Sequence, residues 1–60
     1  MATGEEVTDW VAQAQGMVSV QAECTVDEAL VLMRERAEVQ HQTLIEIANG
    51  VLERRIRFGL

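Results

Sequence analysis

Apolar residues recur at three- and four-residue intervals in three successive stretches of the chain, and each stretch opens on a threonine with an acid three positions on. The pairs Thr3–Glu6, Thr25–Glu28 and Thr43–Glu46 have the capping-box pattern. In it the hydroxyl accepts from the third helical amide, and the carboxylate reaches back to the cap amide. The spacing predicts a first helix over roughly 5–22, with Val7, Val11, Ala14 and Val18 on one stripe and Trp10 and Met17 beside it. A second over roughly 26–40 carries Val26, Ala29, Leu30, Met33 and Ala37. A third over roughly 43–57 carries Leu44, Ile47, Ala48 and Val51 and stops near Gly59. Asn49-Gly50 is a turn-prone dipeptide, but the apolar period runs through it, so the helix is expected to continue. Connections of a few residues favour antiparallel packing of neighbours. The predicted fold is all-α, a small three-helix bundle forming a single domain over 1–60.

Composition sharpens this picture. With 60 residues, the chain buries only ~60% of the surface it exposes when unfolded, so its core is marginal. Cys24 is the only cysteine and His41 the only histidine, which excludes an internal disulfide and a structural zinc site. Stability must then come from efficient helix packing or from a homo-oligomer. No apolar run approaches the ~20 residues of a membrane span. The opening residues Met1 to Glu6 lack a basic segment followed by an apolar one, so no secretory signal is expected. A free thiol without a signal fits a cytoplasmic protein.

The net charge of −5 is unevenly spread. Residues 1–31 hold six acids and no Lys or Arg, whereas 32–60 hold all five arginines against four acids. A nucleic-acid surface needs cations for its phosphate contacts, so any such surface lies toward the second half. No Ser–His–Asp or Cys–His set, phosphate loop or metal cluster is present. Neither a catalytic residue nor a cofactor is expected. Cys24 stands just before the second helix among Glu23, Asp27 and Glu28, and an unreactive thiol is expected.

Three features stand out against this background. Gly16 projects to the side of the first helix opposite Val7, near Ala12. An exposed glycine in a helix costs ~1 kcal/mol against alanine, so it is either merely tolerated or leaves room for another backbone. Ile45, Asn49, Leu52 and Ile56 form a 4-3-4 stripe like a short coiled-coil seam, a dimer face unless it is the second buried flank of a bundle helix. Arg54, Arg55 and Arg57 either oppose a helix dipole or contact phosphate.

The run Val11-Ala12-Gln13-Ala14-Gln15-Gly16-Met17-Val18 resembles the opening of an ANTAR domain, with its Ala–basic–Gly triplet and short apolar stretch. Thr25-Val26-Asp27-Glu28-Ala29, then Leu32-Met33-Arg34 and Ala37, are similar to the family's second helix, and Leu44-Ile45-Glu46-Ile47-Ala48 to its closing segment. The resemblance covers about 11–52. It implies a bacterial regulatory domain that binds paired RNA hairpins in nascent transcripts and suppresses a terminator, often as a dimer. The family's domain usually follows a receiver or other sensor domain. A chain of this length has no room for one, so it is expected to be a stand-alone domain or a piece of a longer regulator, with a sensor or regulator protein as a possible partner.

Several basic positions of the family are changed. Gln15 stands in the triplet, Gln21 and Ala22 near the end of the first helix, Glu35 beside Arg34, and His41, Gln42 and Thr43 before the third helix. The resemblance implies an RNA contact set of Gln15, Gly16, Arg34, His41 and Gln42, with Arg34 on a phosphate and glutamines on bases or sugars. The competing reading is an ANTAR-like protein-interaction or dimerisation module without RNA, working through Ile45, Asn49, Leu52 and Ile56 with Leu32 and Val39.

Overall fold

The structure, a computed structural model, describes residues 9–59. It contains α1 (Asp9–Ala22), α2 (Val26–Gln40) and α3 (Leu44–Leu52), and no strand among the described residues. The fold is the expected three-helix bundle. The Thr3–Glu6 box and Val7 lie outside the described residues.

Both remaining capping boxes are formed. Thr25 Oγ1 accepts from the Glu28 amide at 3.0 Å, and Glu28 Oε1 accepts from the Thr25 amide at 3.0 Å. Thr43 and Glu46 exchange the same pair at 3.1 and 2.8 Å. Each box satisfies two amides that a helix start leaves without intrahelical partners.

All three helices end in the same way. Glu23, His41 and Arg54 take the left-handed conformation at φ 55°, 56° and 64°. The amide after each reaches back over the last turn, Cys24 to Ser19 O at 2.9 Å, Gln42 to Ala37 O at 2.9 Å and Arg55 to Gly50 O at 2.8 Å. These are Schellman ends, usually built on glycine. A side chain there costs roughly 1–2 kcal/mol, offset here by the carbonyls satisfied and the apolar contacts made by the reversal.

The third helix is shorter than its apolar period predicts, stopping at Leu52 rather than near 57. The helix does pass through Asn49-Gly50, as expected. The left-handed turn at Arg54 then folds the chain back, so that the Ile56 amide also reaches Gly50 O at 3.1 Å. Gly50 makes this possible, because a Cβ there would lie 2.8 Å from Ile56 Cγ1. Ile56 is therefore packed against its own helix and does not extend the stripe of Ile45, Asn49 and Leu52.

Val11, Ala14 and Val18 of α1 meet Ala29, Met33 and Ala37 of α2 and Ile47, Ala48 and Val51 of α3 in one core. The segment after α3 completes it. Phe58 is 7% exposed and belongs to the core cluster. Its amide donates to Gln21 Oε1 at 2.9 Å, and the Arg36 guanidinium lies 4.4 Å from its ring centroid. Arg36 Nη2 also donates to Arg57 O at 3.4 Å. Gly59 follows at φ 123°, where a Cβ would run into the Gln21 carbonyl oxygen. Residues 53–59 thus form a strap tied to the end of α1 and to the middle of α2. No helix among the described residues is long and apolar enough to cross a membrane.

Candidate functional site

The side of α1 turned away from the core carries a groove of about 560 Å³. Gln13, Gly16, Met17, Val20 and Gln21 line it from α1, and Arg54 and Arg57 line it from the strap. A Cβ at Gly16 would find nothing within 4 Å. Packing among the described residues therefore does not require glycine at that point. The Ser19 hydroxyl donates to the Gly16 carbonyl at 2.8 Å, which occupies that oxygen without covering the notch.

Among the described residues the groove lining holds two arginines and no carboxylate, in a chain of net charge −5. Arg55, between them in sequence, points elsewhere and is held by Glu53, with Nε and Nη2 each 2.8 Å from Glu53 Oε1. Two shallower depressions on α2 both include Glu35, and one adds Glu28. Arg36 balances Glu35 in the first of these, so an anion is disfavoured at the depression lined by Glu28 and Glu35.

The expected contact residues do not converge. Gln15 is only 5% exposed, and its side-chain amide donates to Val26 O at 3.2 Å. It joins α1 to the first residue of α2 and is not part of an open face. The signal was available in the spacing, since Gln15 stands four residues after Val11 and three before Val18, on the core stripe itself. Arg34 is exposed. At 100° per residue it lies roughly 160° around α2 from Arg36, whose side chain meets the strap. Glu38 and His41 follow Arg34 on that other flank at helical spacing. His41 and Gln42 are exposed between α2 and α3, His41 as the left-handed residue of the helix end. The arginines that line the groove beside Gly16 are Arg54 and Arg57, brought there by the strap, and Arg34 is not among its lining residues.

Ile45 and Leu52 are half-buried against the core, and Asn49 is exposed. Cys24 is also half-buried against the core. No group of three His, Cys, Asp or Glu among the described residues could hold a metal ion.

A family model described as the ANTAR domain matches residues 6–52. That range includes the whole of α1, α2 and α3 and stops where the strap begins. Comparison with curated proteins and comparison with solved structures each gave no match.

Proposed function

The chain belongs to the ANTAR domain family, and from that premise we propose that it binds paired RNA hairpins in nascent transcripts and suppresses terminator formation. ANTAR domains are RNA-binding regulatory domains of antitermination, not enzymes. The observation that carries the reading to this chain is the uncovered backbone at Gly16, inside the matched segment. Close approach of a sugar-phosphate chain would use such a notch, and no contact among the described residues fills it. Arg34, His41 and Gln42, all exposed, would make further contacts on the other flank, Arg34 to a phosphate and Gln42 to a base or sugar. Gln15 instead serves by holding α1 against α2.

Transcription through a template encoding two hairpins ahead of a terminator tests the proposal. Read-through is expected to rise with added protein, and unchanged read-through at saturating protein would refute it.

A second reading is a protein-interaction module. It is supported by the exposed valines of α2, Val31 at 53% and Val39 at 77%, beside half-buried Leu32. Under either reading Ile45, Asn49 and Leu52 would form a self-association face. The chain is expected to sediment as a dimer or larger species at high micromolar concentration, and a strictly monomeric profile there would remove this face from the account.

A further inference from the structure

We infer that Arg54 and Arg57, held beside Gly16 by the strap, supply phosphate contacts for RNA from outside the segment that defines the family. The inference rests on the RNA-binding reading and locates its main electrostatic site. Between Asp9 and Ala22 α1 itself carries no Lys or Arg. A segment beyond residue 52 brings two arginines to its groove.

The placement follows from local chemistry. Arg54 is the left-handed residue that ends α3, so the chain reverses there rather than continuing as helix. The strap then crosses to α1, where Phe58 enters the core and its amide bonds Gln21 Oε1 at 2.9 Å. Gly59 passes the Gln21 carbonyl with no Cβ to obstruct it. Gln21 thus anchors the strap and lines the groove at once. Arg36 grips the strap from the other side, through the Phe58 ring and the Arg57 carbonyl. With both ends of the reversal tied, Arg54 and Arg57 are held at the groove wall while Glu53 draws Arg55 away.

Guanidinium groups suit phosphodiester oxygens, because their planar donors match two oxygens of one phosphate. The amides of Gln13 and Gln21 provide neutral hydrogen-bonding partners for sugar hydroxyls beside them. The missing Cβ at Gly16 lets the backbone of the ligand settle between the two walls.

The test uses the whole chain and a fluorescently labelled two-hairpin RNA, with anisotropy measured across a salt series and folding checked by circular dichroism. The double variant Arg54→Gln, Arg57→Gln is expected to bind about tenfold or more weakly at low salt. The slope of log affinity against log salt should become shallower by about 1.5–2. Arg55→Gln should stay within about twofold of wild type, since that side chain does not line the groove. Gln13→Arg, an exposed helix substitution that adds a cation to the groove, should tighten binding and steepen the slope by about one. This gain keeps the inference testable even if the double variant disturbs the strap. Wild-type RNA binding with affinity and slope unchanged in both groove variants would overturn the inference and leave the RNA-binding reading standing. Absence of RNA binding by the wild-type chain would overturn the reading itself, and the inference with it.

Discussion

Phe58→Ala is expected to leave most of the domain unfolded at room temperature. Phe58 is 7% exposed and touches the core from the strap. Truncating a buried phenylalanine typically costs about 3–5 kcal/mol. The Arg36 contact, 4.4 Å from the ring centroid, would add ~0.5–2 kcal/mol. A chain of this length has a total stability of roughly 3–9 kcal/mol at typical per-residue values, so one side chain holds a large share of it. Circular dichroism with urea titration measures the effect directly. Phe58→Leu, which keeps most of the apolar volume, should retain a cooperative transition at lower midpoint. An alanine variant with the wild-type helical signal and midpoint would show that the strap is decoration, contrary to the packing described here.

The helical part of this fold was legible because its local signals agree. Threonine caps with acids three residues on mark the starts of α2 and α3, and an apolar helical period runs through all three helices. The end of α3 was not legible, because Leu52 and Ile56 keep helical spacing past the point where the helix stops. Nothing in a periodicity shows that Arg54 adopts a left-handed conformation normally left to glycine. The informative residues were Gly50 and Gly59, one receiving Ile56 and the other passing Gln21, together with Phe58, an aromatic in a chain nearly free of them.

The site was legible in fragments. Gly16 was recognisable as exposed from helix geometry, and the structure leaves its Cβ position empty. Which cations stand near it depends on the strap, a tertiary feature, so Arg34 was the natural expectation while Arg54 and Arg57 are the neighbours found. Gln15 misled for a different reason. The resemblance placed it among the contacts, whereas its helical spacing sets it on the core stripe, where its amide donates to Val26 O. Burial of a satisfied amide is tolerated in a core, whereas burial of an unpaired one is costly.

The central claim is that the open backbone at Gly16 is where RNA approaches the domain, and substitution at that one position isolates it from stability. Glycine within a helix costs ~1 kcal/mol relative to alanine, and a Cβ at Gly16 meets nothing within 4 Å. Gly16→Ala and Gly16→Leu should therefore both fold, with melting temperatures at or above wild type. Leucine extends into the groove between Gln13, Val20 and the two arginines, where it takes up the space the ligand backbone needs. The loss of close approach and of the charged contacts beside it should weaken binding at least tenfold, about 1.4 kcal/mol or more. The decisive measurement is the affinity of folded Gly16→Leu for a two-hairpin RNA at low salt, beside wild type. The account predicts tight enough wild-type binding to measure and at least tenfold weaker binding by the leucine variant; equal affinity of the two folded proteins would contradict it.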